Sequence, residues 1–137
     1  MVKKEAELYP MKTLVVGLGN PILGDDGVGW KVAEEVKKQL STDSHVDVEC
    51  LSLGGISLME HLIGYPKAIL VDAFALDEPV GSILILKLDD LPNYSAYHTT
   101  CPHDTSLQNA VALGKTMGAK LPDDVMVVGI ATTRVHE

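Results

Sequence analysis

The chain has 137 residues, 46% of them hydrophobic and only 4% aromatic, which is enough for one domain with a core of Val, Leu, Ile and Ala. Eleven Lys and Arg against nineteen Asp and Glu leave a formal net charge of −8, which argues against nucleic acid or an anionic membrane surface as partner. Cys50 and Cys101 lack the paired spacing of a disulfide framework or a zinc knuckle.

Residues 1–11 read as a loose leader before a single domain over residues 12–137. The opening Met1-Val2-Lys3-Lys4 is followed by Glu5-Ala6-Glu7, not by the apolar core of a signal peptide. No apolar run approaches the ~20 residues that span a bilayer, so a cytoplasmic protein is expected.

Thr13 to Val16 is a short apolar run that reads as a buried strand. A glycine-rich turn follows, from Gly17 to Gly29, with Asp25 and Asp26 inside it. It is not a dinucleotide fingerprint, because Ile22 stands where the third small residue is needed. Nor is it a phosphate-cradling loop, because two carboxylates follow Gly24 and would repel a phosphate. Backbone freedom combined with carboxylate oxygens suits a cation instead. The spacing then predicts a helix over about Val28 to Leu40, with Val28, Val32, Ala33, Val36 and Leu40 on its inner stripe.

Val46 to Leu51 alternates as a strand near an edge, and Ile56 to Ile63 reads as a short helix. Ala68 to Asp72 is a fully apolar strand closed by a carboxylate. An Asp in that position faces the crevice outside the carboxyl ends of the strands, where ligands gather in open α/β sheets. Ala73 to Val80 reads as a loop, and Ser82 to Leu88 as an antiparallel or edge strand. Asp89 to Cys101 has no periodicity, and long irregular loops are often functional. Pro102-His103 leads into a helix with Leu107, Ala110, Val111, Gly114 and Met117 facing inward, and Val125 to Ile130 is the last strand. Strands alternating with helices predict a three-layer α/β/α sandwich around a mostly parallel, twisted sheet of about five strands.

Three residues fall at junctions on the same sheet edge: Asp26, Asp72 and His103. Two carboxylates and an imidazole suit a borderline divalent metal with a coordination position left open. Each also has a structural reading. Asp25 or Asp26 could cap the first helix, Asp72 could bond loop amides, and His103 could be a satisfied helix-entry residue. The joint placement of the three favours the site. Cys101 with His103 lacks a third orienting group for nucleophilic catalysis. His45, His61, His98 and His136 read as surface residues.

These residues carry a resemblance. The chain resembles the hydrogenase maturation proteases, which open with a strand and a glycine-rich turn. Gly17, Gly19, Asn20, Leu23 (one place later than usual, with Ile22 in register), Asp25, Asp26 and Gly29 correspond to that turn. Asp72-Ala73 matches the end of the family's central strand, Pro102-His103 its later pair before a helix, and Val128-Gly129-Ile130 its last strand. The match runs from about Lys12 to Ile130. It implies an endopeptidase that trims the C-terminal extension of a nickel–iron hydrogenase large-subunit precursor after nickel insertion. It also places the family's metal ligands on Asp26, Asp72 and His103. Nickel then comes with the precursor, and another divalent metal is expected to fit the site in vitro. The partner implied is that precursor, and the protein is expected to be a monomer. The chain departs from the pattern at its end: it stops at Glu137, where the family continues into a closing helix, so either one sheet face is expected to lie open or the sequence is cut short there. A second resemblance, to peptidyl-tRNA hydrolases, rests on Gly17 to Pro21 and on the overall sandwich class, but Ile22-Leu23-Gly24-Asp25-Asp26 follow with no His nearby. The net charge opposes it. A non-catalytic metal-binding module of the same fold is the third reading.

Overall fold

The computed structural model describes residues 12–19, 27–43, 45–52, 55–74, 78–90 and 107–132. Five strands and three helices alternate along them: β1 (Thr13–Leu18), α1 (Val28–Gln39), β2 (Val46–Leu51), α2 (Gly55–Leu62), β3 (Lys67–Phe74), β4 (Ile83–Lys87), α3 (Leu107–Thr116) and β5 (Asp124–Ala131). A short 3₁₀ turn, Leu88–Asp90, follows β4.

The strands form one sheet in the order β2-β1-β3-β5-β4. β2, β1, β3 and β5 are parallel, and β4 runs antiparallel to β5. Both edge assignments from the sequence therefore hold. Consecutive parallel strands need crossovers, and the helices supply them.

Alternation within each strand divides the sheet into two faces. Leu14, Val16 and Leu18 of β1 share a face with Ala68, Leu70 and Phe74 of β3 and with Val125 and Val127 of β5. α2 and α3 cover it with Leu58, Met59, Leu62, Leu107, Ala110 and Val111. α1 covers the other face over β1, β2 and β3. The result is the expected α/β/α sandwich. On the α1 side of β4, Ile83 and Ile85 stay exposed.

Four details differ from the sequence reading. β3 continues through Ala73 and Phe74, which are buried. Apolar contact on both faces and pairing with Ile130 and Ala131 extend the strand past the expected loop start. Phe74 also lies across Gly129, where an added Cβ would meet its ring at 3.1 Å. The inner stripe of α1 is narrower than expected: Gly29 and Ala33 are buried, while Leu40 is exposed. Leu40 falls at the C-cap, just past the last helical residue. Met117 lies beyond the end of α3 and is 77% exposed, because the chain turns away at Gly118, whose φ is +90°. Finally, Gly27 occupies the N-cap of α1 and makes no side-chain cap, while Asp25 and Asp26 lie outside the described residues.

Among the described residues no helix is long and apolar enough to cross a membrane.

Candidate functional site

Asp72 is the one residue of the expected trio among the described residues. Asp26 and His103, together with Asp25, His98 and Cys101, lie outside them. Asp72 sits in β3 opposite Gly129 of β5, one step beyond the last β1–β3 pair, Gly17 with Val71. It is level with the point where β1 ends. Its side chain is 1% exposed and shares a face with Leu70 and Phe74. The Ala73 amide donates to Asp72 Oδ1 over 2.8 Å. A carboxylate held by a neighbouring N–H has a fixed orientation, and such charge-assisted bonds are about twice as strong as neutral ones.

The described residues that flank Asp26 in sequence sit close to this point. A Cβ on Gly29 would overlap the Leu18 carbonyl oxygen and meet the Val71 carbonyl oxygen at 2.5 Å. A Cβ on Gly17 would overlap the Gly29 carbonyl and meet Ala33 Cβ at 2.7 Å. Only glycines allow this approach. The first turn of α1 therefore rests across the carboxyl ends of β1 and β3, against the residue before Asp72.

The ends of the glycine turn are tied to β2. The Leu51 carbonyl accepts from the Gly19 amide at 3.2 Å and from Trp30 Nε1 at 3.0 Å. Ser52 Oγ donates to the Gly19 carbonyl. Reasoning from sequence passed over Trp30 and Ser52. A lone Trp one residue after the last glycine of the turn was the available signal.

α3, on the side of His103, has a topological constraint of its own. It is followed by a short connection into β5, and the Gly64 amide donates to the Lys120 carbonyl at 2.8 Å. That bond joins the connections that enter β3 and β5 at the amino edge of the sheet. The amino end of α3 accordingly points toward the carboxyl edge, the side on which Asp72 lies.

Elsewhere among the described residues, titratable side chains pair with one another. His61 Nδ1 lies 3.0 Å from Glu49 Oε1, and His45 Nδ1 lies 3.5 Å from Asp43 Oδ1. Burial first, then the nearby Glu34 carboxylate, pushes the Cys50 thiol up, away from the thiolate form that acts as nucleophile or metal ligand. A groove of about 640 Å³ runs between α1 and β2, lined by Lys37, Lys38 and Cys50 among others. A smaller one of about 140 Å³ lies by Asp89, Lys115 and Asp124. Neither is lined by Asp72. Among the described residues no group of three or more His, Cys, Asp or Glu side chains is assembled to hold a metal.

Comparison with known proteins accords with this arrangement. The family model for hydrogenase maturation protease matches residues 30–137. The hydrogenase expression/formation protein HupD of Bradyrhizobium diazoefficiens is 22% identical over 118 residues, 86% of this chain and 61% of the relative. A putative hydrogenase maturation protease of Methanocaldococcus jannaschii is 34% identical over 85 residues, 61% of this chain and 55% of the relative. The chain thus spans about six tenths of the length of the curated relatives it matches. Among solved structures, the hydrogenase maturating endopeptidase HybD from E. coli superposes with a TM-score of 0.69 at 22% identity, over 88% of this chain and 74% of that one. The superposition shows a common fold, and the family model covers well over half of the sequence: the chain belongs to the hydrogenase maturation protease family.

Proposed function

We infer that the protein is an endopeptidase that removes the C-terminal extension of a nickel-loaded hydrogenase large-subunit precursor. Asp26, Asp72 and His103 are the groups assigned to meet the metal. The observation that carries this reading is Asp72 itself. In a chain of this family, β3 carries a buried carboxylate near its carboxyl end, hydrogen-bonded to the Ala73 amide, and the residue before it, Val71, meets the first turn of the helix that Asp26 precedes in sequence.

Nickel is part of the substrate in this reading, carried by the precursor. Carboxylate oxygens and an imidazole nitrogen are suitable donors for it, and another divalent ion would use the same donors in vitro. The three side chains recognise a loaded precursor, and a bound metal supplies orientation and polarisation of the scissile region for attack by water. The role of Asp72 is to offer one carboxylate with a preset orientation, so that binding costs little reorganisation. The protein acts as a cytoplasmic monomer, with the precursor as its partner. The esterase reading is not favoured by the family match.

The test is cleavage of nickel-loaded precursor by the wild type beside Asp26→Ala, Asp72→Ala and His103→Ala, with folding followed by circular dichroism. Loss of cutting in all three folded variants is expected. A wild type that binds nickel through these residues and cuts nothing would instead be a binding module. Equal cutting of metal-free precursor would remove nickel from the mechanism.

A further inference from the structure

The geometry points to Ser52 and Trp30 as positioning residues that hold both ends of the glycine turn to the end of β2. This assignment rests on the reading of Asp26 given above, since Asp26 is what the turn would deliver.

Residues 20–26 are bounded by Gly19 on one side and by Gly27, the N-cap of α1, on the other. Gly19 has a φ of +139°, a conformation that side-chain-bearing residues rarely adopt. Both of its backbone groups are held. Its amide donates to the Leu51 carbonyl, and its carbonyl accepts from Ser52 Oγ. At the far end, Trp30 lies in the first turn of α1, and its indole N–H donates to that same Leu51 carbonyl. The Trp30 carbonyl in turn accepts a weak bond from Cys50 Sγ at 3.8 Å. Leu51-Ser52 is therefore one anchor for two chain ends. Neither backbone pairing in the sheet nor the Gly17–Gly29 contact explains why a hydroxyl and an indole N–H should converge there.

Tying Gly19 and Trp30 to one point fixes the two described residues between which Asp26 lies in sequence, and loop-closure entropy settled in advance is not lost when a ligand is engaged. Misplacing a reacting group by ~1 Å can cost on the order of 100-fold in rate. Ser52 touches neither the reacting atoms nor Asp72 in this assignment. It acts through Gly19, as Trp30 acts through α1.

The experiment compares wild type, Ser52→Ala, Ser52→Thr and Trp30→Phe. Three readouts are taken: single-turnover cleavage of nickel-loaded precursor, thermal midpoint, and amide hydrogen exchange across residues 19–30. For Ser52→Ala and Trp30→Phe the cleavage rate is expected to fall roughly 10-fold or more. The midpoint should move only a few degrees, exchange should accelerate over residues 19–28 alone, and Ser52→Thr should restore both rate and protection. Unchanged exchange over residues 19–28 in Ser52→Ala and Trp30→Phe overturns the assignment, whatever the activity. So does a rate within twofold of wild type. A wild type that cleaves nothing overturns the proposed function instead, and the exchange data still decide whether the anchor exists.

Discussion

Gly17 of β1 and Gly29 of α1 meet backbone to backbone, with no room for a Cβ on either. That contact seats the first turn of α1 on the carboxyl edge of the sheet, against the Leu18 and Val71 carbonyls. It connects a motif in the sequence to a place in the structure. It also limits what can be substituted there.

Gly17→Ala and Gly29→Ala are each expected to destabilise the fold by about 2 kcal/mol or more, because the atoms in the way are largely backbone and cannot step aside. Gly114→Ala is the contrast. Its new methyl would meet Leu121 Cδ1 and Met59 Sδ, the ends of flexible side chains, and the helix gains roughly 1 kcal/mol of propensity. That variant should fall within about 1 kcal/mol of wild type. Urea unfolding of the three variants checks the order.

Asp72→Asn should separate chemistry from folding. The amide oxygen of Asn can still accept from the Ala73 N–H, so stability should change by about 1 kcal/mol or less. Precursor cleavage should be lost, because the negative charge is gone. Asp72→Ala removes that acceptor as well and should cost about 1–3 kcal/mol. Cleavage assays paired with denaturation curves distinguish the two effects.

Tyr65 and Asp47 make a pH-dependent tie between β2 and the entry to β3. The Tyr65 hydroxyl donates to Asp47 Oδ2 over 2.7 Å, and Lys12 Nζ lies 3.4 Å from Asp47 Oδ1. The Tyr65 bond, ahead of Lys12, holds the Asp47 carboxyl below its ordinary 3.8, against a smaller opposing effect of burial. Burial, then Asp47, pushes the Tyr65 phenol up from 10.0 to about 12. A depressed carboxyl adds stability that is present above its unfolded pKa and lost as pH falls through the folded value. A raised phenol adds stability that is present below pH 10.0 and lost as pH rises toward about 12. Tyr65→Phe should therefore bring the Asp47 pKa back toward 3.8 by NMR titration and remove the loss of stability on the alkaline limb.

Leu70 and Ile85 show where the core ends. Leu70 is fully buried at 0% exposure, whereas Ile85 on the edge strand is 59% exposed. Leu70→Ala should cost about 2–5 kcal/mol through lost transfer energy and the cavity left behind. Ile85→Thr keeps a β-branched residue on an exposed strand and should stay within about 0.5 kcal/mol. Thermal or chemical denaturation of the pair is the measurement.

Much of this molecule was legible in its sequence because the signals are local. Apolar runs such as Thr13–Val16 and Ala68–Val71 leave few alternatives to buried parallel strands. The helical period of Leu107, Ala110, Val111 and Gly114 placed α3 correctly, and the two weakest strands were assigned to the edges they occupy. The glycine turn and the carboxylate near the end of β3 also point to the carboxyl edge, because motif and strand polarity are both written along the chain. Tertiary structure decided what depends on residues distant in sequence. β3 runs on through Ala73 and Phe74 because Ile130 and Ala131 pair with them. Met117 is outside because the chain turns at Gly118. Leu40 is exposed at the C-cap, past the last residue of α1. The convergence of Trp30 and Ser52 on the end of β2 follows from the same cause: hydrogen bonds across 21 and 33 residues have no periodicity and exist only once the strands have paired.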